Sequence, residues 1–370
     1  MSQGDFKYSK RQFYFYLRRA IWVLLAWVAI SNILFFYEYS TLASYDVFSS
    51  NYDFKSNFIA NLIIAVGAGI LGGTITINLM EIALRRYAFI KALLLILIIY
   101  TVTAVFVSTI GAMYLKSEAL NAPIFSNDVL EETYFFFSSW LFIKNYFIWL
   151  FIVLVTLIIL MVNDKYGPGV FPDYLLGKYF IPKKERRIFM FADIRNATGI
   201  AESLGEKRYF NFLKDFFKDI APAIVHTHGE VYQYVGDEVV VSWKMKHGLR
   251  QANAISCYYL MLQLLANKQA KYQKKYGVLP EFKVGYHCGD VMSGELGQIK
   301  REIAFSGDVL NTTARIQASC NSLGVDILAS QAFSNLIVEL PSNIEVVAMG
   351  DHPLRGKTGT LSLVTFRNNS

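Results

Sequence analysis

The sequence predicts two joined parts: an α-helical bundle of four transmembrane spans, then an α+β domain of ferredoxin-like order, βαββαβ. Three observations lead there. The chain has 370 residues, is 54% hydrophobic and has a mean hydropathy of +0.33, too apolar for a soluble protein and too long for one ordinary domain. The apolar excess lies before about residue 163. Beyond it, β-branched runs alternate with long helical patterns in a globular composition.

Four segments reach the roughly 20 apolar residues that a hydrocarbon core of about 30 Å requires. They run approximately Ala20–Tyr37, Phe58–Met80, Ala88–Met113 and Tyr146–Val162. The first has no small-residue cleavage site and a second span soon follows, so it does not read as a signal peptide. Lys7, Lys10, Arg11, Arg18 and Arg19 precede it, Arg85 and Arg86 separate the second span from the third, and Lys165, Lys178, Lys183, Lys184, Arg186 and Arg187 follow the fourth. The other two loops carry acids instead: Asp46, Asp53, Glu118, Asp128, Glu131 and Glu132. That bias predicts a multi-pass protein of the inner (plasma) membrane with both termini in the cytoplasm. It also accounts for most of the +7 charge and the pI near 9, so membrane lipid, not nucleic acid, is the expected partner. The boundaries read as a basic N-terminus over 1–19, the spans over 20–163, a linker over 164–186 and the second domain over 187–370.

Gly67, Gly69 and Gly72 spell GxGxxG inside the second span, where no strand precedes them and no βαβ unit follows. Context therefore favours close helix approach over a dinucleotide site. Lys91 can snorkel from the inner end of the third span. Tyr134–Phe137, Trp140 and Phe142 read as an interfacial belt. No acid cluster lies within the spans, which argues against an ion or proton pump. A passive anchor and a sensor both remain open for this half.

In the second domain a strand is expected at about Arg187–Ile194, then a helical stretch from Gly199 to His226. Hairpin strands follow at Glu230–Val235 and Glu238–Trp243, then a second helix at about Leu249–Tyr276. Strands near Phe282–Cys288 and Asp290–Leu296 complete the βαββαβ order. Asp308 reads as the N-cap of a third helix, Val309–Cys320, and two or three more strands end at Leu361–Phe366. Cys257, Cys288 and Cys320 lack CxxC spacing and read as reduced thiols, and His226 and His228 as helix-end residues, not zinc ligands.

Two acids stand out. Phe189-Met190-Phe191-Ala192 is apolar enough to be buried and ends abruptly at Asp193, while Asp237 occupies a Gly-Asp turn between β-branched segments. If that turn lies beside the end of the first strand, two carboxylates converge with few neighbouring cations. Like-charge repulsion then calls for a hard cation such as Mg²⁺ between them, as in phosphoryl-transfer sites.

Four pieces occur in order: FADIR from Phe191, the Gly-Asp hairpin, FKVGYHCGDVMSGELG at Phe282–Gly297 and FSGDVLNTTARIQ at Phe305–Gln317. Together they resemble the catalytic domain of class III adenylate and guanylate (nucleotidyl) cyclases, over about half the chain. The resemblance implies a head-to-tail homodimer with nucleotide sites built from both chains. Asp193 and Asp237, assisted by the Ile194 carbonyl, would hold two Mg²⁺ or Mn²⁺ ions per site, one activating the ribose 3′-hydroxyl and one holding the triphosphate. Asn311 would orient the ribose, and Arg315, one helical turn on, would neutralise charge on the transferred phosphate. Arg355 and Lys300, with Arg301 beside it, are the basic residues for the terminal phosphates.

The chain departs from the family where the purine is read. Adenylate cyclases commonly place Lys four residues before the second metal Asp and Asp or Thr seven before the Asn; guanylate cyclases tend to Glu and Cys. Here those positions hold Gln233 and Ala304. Gln233 can donate and accept, whereas the Ala304 side chain can do neither, leaving backbone groups or Glu302. ATP is the expected substrate, by analogy with bacterial membrane-tethered members. A guanylate cyclase using GTP, or a catalytically silent nucleotide-binding receptor, is the alternative. A diguanylate cyclase is disfavoured because the chain has no GG[DE]EF hairpin.

Overall fold

The computed structural model describes residues 3–45, 52–86, 89–166, 177, 179–299, 302–354, 356 and 359–369. The chain divides into two compact units, Met1–Val162 and Asn163–Ser370.

The first unit is helical: α1 (Gln3–Ser44), α2 (Phe54–Arg86), α3 (Phe89–Leu120), α4 (Asn127–Phe137) and α5 (Trp140–Tyr166). Four of these contain stretches long and apolar enough to cross a membrane: Leu17–Ser44, Phe54–Ile75, Leu94–Leu120 and Trp140–Val162. The short α4 is an addition to the expected elements. Ser126 caps it; Val129 and Thr133 are buried, while Tyr134 and Phe135 stay exposed. Trp27 on α1 is the packing centre, with its ring 6.0 Å from Tyr100 and 5.9 Å from Trp149. Its Nε1–H donates to Thr156 Oγ1 at 3.0 Å, and the Tyr100 hydroxyl donates to the Gly72 carbonyl at 3.1 Å. Polar groups inside an apolar bundle are costly unless paired in this way.

The GxGxxG letters lie within α2 and act as a close-packing face. A Cβ at Gly69 would sit 2.3 Å from Leu24 Cδ1, and one at Gly72 would sit 2.4 Å from Trp27 Cζ3. Gly67 is looser, because the nearest atom is a Val107 methyl at 3.1 Å.

The second unit is built on an eight-stranded sheet. Its strands are β1 (Lys183–Ile194), β2 (Glu230–Val235), β3 (Glu238–Lys244), β4 (Phe282–Leu296), β5 (Glu302–Ser306), β6 (Ile327–Ser330), β7 (Ile344–Pro353) and β8 (Thr360–Asn368). They run in the order β2-β3-β1-β4-β6-β8-β7, with β5 paired to β4 off that path. The β2–β3, β3–β1 and β1–β4 neighbours are all antiparallel. The helices are α6 (Ala197–Leu204), α7 (Glu206–His226), α8 (Met245–Leu249), α9 (Asn253–Ala266), α10 (Gln269–Tyr276), α11 (Asp308–Leu323) and α12 (Gln331–Ser334).

The alternation of β1 separates the two faces of this sheet. Ile188, Met190, Ala192 and Ile194 join the main core with Phe212, Phe216, Ile220 and Ala223 of α7 and with α9. Full burial of each such Phe or Ile stabilises the fold by roughly 1.5–3 kcal/mol. Phe189 and Phe191 enter a smaller cluster on the other face with Val240, Val291, Val309, Tyr232 and Phe305. Asp219, buried on α7, receives Lys271 Nζ at 3.1 Å and the Tyr272 hydroxyl at 3.0 Å and is also paired with Lys268, which ties α7 to the α9–α10 segment.

Several boundaries differ from expectation. The helical stretch after β1 breaks at Gly205 into α6 and α7, and the second long helix is three pieces, α8, α9 and α10. β1 begins at Lys183 because the partner strand continues: Lys183–Arg186 pair with Ser293–Asp290 of a single fifteen-residue β4 that runs unbroken through Gly289. Asp308 lies in the first turn of α11, where its carboxylate accepts from Thr312 Oγ1 at 3.2 Å; the cap position belongs to Gly307. All three cysteines are buried and free, and His226 ends α7.

Because the atom met at Gly72 is a ring and not a rotatable methyl, Gly72→Val should destabilise the detergent-solubilised protein by about 1–3 kcal/mol. Gly67→Ala should cost less. Thermal unfolding of the two variants gives the comparison, and equal midpoints would remove the close-packing role of Gly72.

Candidate active site

β1 runs out at Asp193, which stands opposite Glu238 of β3 on one side and Lys283 of β4 on the other. The β2–β3 turn is Gly236-Asp237, with Gly236 at φ +62°, the left-handed conformation that a tight hairpin needs. The turn brings the Asp237 carboxyl into hydrogen-bond contact with Asp193. The two acids predicted to converge do so.

Burial, then the hydrogen bond and charge of Asp193, push Asp237 up to about 6. Burial, then the charges of Asp193 and Asp237, push Glu238 up to about 7. Tyr209 of α7 is also raised, first by burial and then by the same two aspartates, which places its phenol near the pair.

The expectation of few nearby cations is corrected. Lys283 Nζ lies 3.3 Å from Asp193 Oδ2, and Gln317 Nε2 donates to the same oxygen at 3.1 Å. Gln317 gets there because α11 lies tightly on β4: a Cβ at Gly285 would stand 2.4 Å from the Gln317 nitrogen. Lys283, Gln317 and Glu238 were not singled out from sequence. A strict alternation from Gly285 along β4 marks residue 283 only once the β1–β4 register is known. The Arg of FADIR is spent structurally. Arg195 binds Asp326 through Nε at 2.6 Å, Asn321 Oδ1 at 3.1 Å and the Val325 carbonyl at 2.9 Å.

Asn311 and Arg315 share one face of α11, but not the face that carries Gln317. Arg315 and Gln317 are two residues apart, about 200° around a helix, so Arg315 is turned away from the Asp193 of its own chain. A side chain at Gly356 would sit 3.4 Å from Arg315 Nη2. Ile194 ends β1 with its side chain in the core, so only its backbone could serve the site. Gln233 is exposed on β2, just past an irregularity at Tyr232. Ala304 is half-buried on β5 opposite Gly294. The two come near each other through their neighbours: the Tyr232 and Phe305 rings are 5.0 Å apart, and the Phe305 N–H donates to Tyr232 Oη at 3.2 Å. Lys300, Arg301 and Arg355 lie outside the described residues.

Two half-buried carboxyls in contact, one of them raised by the other, are a donor set that fits a hard divalent cation. Among the described residues no three His, Cys, Asp or Glu converge, so further ligands would be backbone, water or substrate.

An antiparallel core that ends one strand in an acid, and meets it with a second acid from a neighbouring hairpin, has the layout of a nucleotidyl cyclase domain. The family model for the adenylate and guanylate cyclase catalytic domain matches residues 182–366, half of the sequence, and the chain belongs to that family. It is 29% identical over 214 residues to adenylate cyclase 2 of Rhizobium meliloti (strain 1021), a match covering 57% of this chain and 58% of that protein. It is 26% identical over 186 residues to adenylate cyclase 1 of the same organism, covering 47% and 26% of the two chains. The chain thus spans less than two thirds of either relative. Among solved structures it is similar to a bacterial light-regulated adenylyl cyclase, with 20% identity, 55% and 60% coverage and a TM-score of 0.48.

The raised acids set a pH dependence with a definite sign. Asp237 and Glu238 sit above their ordinary 3.8 and 4.5, so the metal-free native state keeps protons that the unfolded chain has released. Their contribution to stability is full below about pH 4 and falls as pH rises through about 6 and about 7. The thermal midpoint of metal-free protein should therefore fall further between about pH 5 and 8 than that of Asp237→Asn. Equal falls in both would remove the acid pair as the source.

Proposed function

We propose that this chain is a membrane-anchored class III adenylate cyclase, converting ATP to cyclic AMP and pyrophosphate as a homodimer. The β2-β3-β1-β4 order with antiparallel neighbours supports a ferredoxin-like core, and the four apolar helices with their basic flanks support multi-pass insertion in the inner membrane, termini cytoplasmic. The observation that carries the catalytic reading is the contact of Asp193 and Asp237 on a sheet whose α11 turns Asn311 and Arg315 away from them. One chain supplies the acids and the other set must come from a second copy.

Asp193, Asp237 and the Ile194 carbonyl would hold Mg²⁺ or Mn²⁺, two ions per site. Bound there, the ions supply charge neutralisation on the triphosphate and a more acidic 3′-hydroxyl. The chain's own residues supply the rest. Gln233, and β5 at Ala304, seat the purine. Asn311 orients the ribose so that its 3′-oxygen lines up with the α-phosphorus, opposite the leaving pyrophosphate. The guanidinium of Arg315 pairs with oxygens that gain charge as the α–β bridging bond breaks. Lys300 and Arg355 steady the terminal phosphates. Lys283 and Gln317, both bound to one oxygen of Asp193, keep that carboxylate aimed.

Purified protein given ATP and GTP separately with Mn²⁺ should form cyclic AMP, and Asp193→Asn should lower the rate by about 10²-fold or more. No cyclic product from either nucleotide would sink the reading. Wild-type activity in Asp193→Asn would sink the metal assignment alone.

The two-chain site has its own test. Asp193→Asn and Arg315→Ala chains, each inactive, should regain up to about one quarter of wild-type activity when mixed, because a mixed dimer keeps one intact site. No recovery in a mixture shown to exchange subunits would place all four residues in one chain.

A further inference from the structure

Tyr232 and Phe305 are the immediate neighbours of Gln233 and Ala304, and any role for them in recognition rests on the proposed placing of the purine at those two residues. β5 pairs with β4 on one side and presents its other edge outward. The Phe305 N–H donates to Tyr232 Oη, so it stands outside the β4–β5 ladder. In an antiparallel strand the N–H and C=O of one residue point the same way, and those of its neighbours point the opposite way. Phe305 therefore turns both backbone groups outward, while Ala304, opposite Gly294, turns its own toward β4. The Ala304 methyl forms no hydrogen bond. The polar group left at this edge is the Phe305 carbonyl, which can only accept.

This arrangement is held on several sides. Besides Tyr232, the Phe305 ring meets Phe189 edge-on at 5.6 Å and the Arg187 guanidinium at 4.6 Å. Arg187 is 2% exposed and is itself fixed by Glu230 at 2.7 Å, Ser242 Oγ at 2.9 Å and Glu185 at 3.1 Å. Phe305 cannot swing freely to re-aim its backbone.

We propose that Tyr232 is a specificity-positioning residue: by accepting the Phe305 N–H it removes the outward donor nearest Ala304 and leaves an acceptor-only edge for the purine. Adenine offers an amino group where guanine offers a carbonyl oxygen, so such an edge pairs with the first and leaves the second opposed by like polarity. Gln233 accommodates either base and does not decide between them. Discrimination that the usual side chains would supply is moved to the backbone.

The test is Tyr232→Phe in the full chain, with ATP and GTP measured separately and in competition, and GTP read as a competitive inhibitor if it is not turned over. Loss of the hydroxyl frees the Phe305 N–H, a donor suited to guanine. The ratio of kcat/KM for GTP to that for ATP, or of the corresponding affinities, should rise by about fivefold, the size of one ordinary hydrogen bond, mainly through KM. Tyr232→Trp, bulky and lacking an acceptor, should move the ratio the same way and serves if the first variant does not fold. A ratio unchanged in whichever variant folds, with both nucleotides affected in parallel, would reduce Tyr232 to a packing residue and overturn the inference. A wild-type chain that cyclises neither nucleotide would overturn the cyclase reading beneath it instead.

Discussion

Two carboxyl groups in hydrogen-bond contact cannot both ionise freely, and one face of the catalytic sheet is organised around that constraint. Asp193 and Asp237 come from different strands, and burial deepens the cost by removing the water that would screen them. Help comes from β4 and α11. Lys283 contributes a charge and Gln317 a donor, both to the same Asp193 oxygen. For this, β4 must hold its register with β1, and α11 must lie close enough to β4 that only glycine fits at position 285. Adenylate cyclase chemistry, as proposed, uses the same strain: a site that repels its own charges is one that a hard cation relieves.

What could be read from the sequence was local. The hairpin turn, the abrupt end of β1 and the one-turn spacing of Asn311 and Arg315 depend on neighbours a few residues away, and each is found where expected. Lys283 and Gln317 act on Asp193 across a strand register and a helix–sheet contact that no local pattern encodes. The same limit explains the boundaries. Gly289-Asp290 looks like a turn, yet β1 pairs with β4 through it, so tertiary pairing overrides the local signal. Asp308 has the composition of a cap, but Gly307 takes the position and the aspartate serves Thr312 instead.

The helical unit solves a different problem with few polar atoms. Trp27, Tyr100 and Thr156 spend their hydrogen-bonding groups on one another or on backbone, and glycines of α2 let α1 come within contact. The interior is therefore specific without being charged. Such packing can take discrete alternative arrangements, which a passive tether does not need. That is the physical content of the sensor reading, set against the anchor reading that the length and apolarity of the helices satisfy equally well.

The two faces of α11 have a consequence for the kinetics of a dimer. Gln317 grips the acids of its own chain while Arg315, turned about 200° from it, is available to a second. In a symmetric pair, each such helix would belong to both sites at once. Nucleotide drawn to one Arg315 would pull on the Gln317 that steadies the other site's acids. Two sites sharing a rigid part in this way do not fill independently, and the natural signature is cooperativity, a saturation curve that departs from a simple hyperbola.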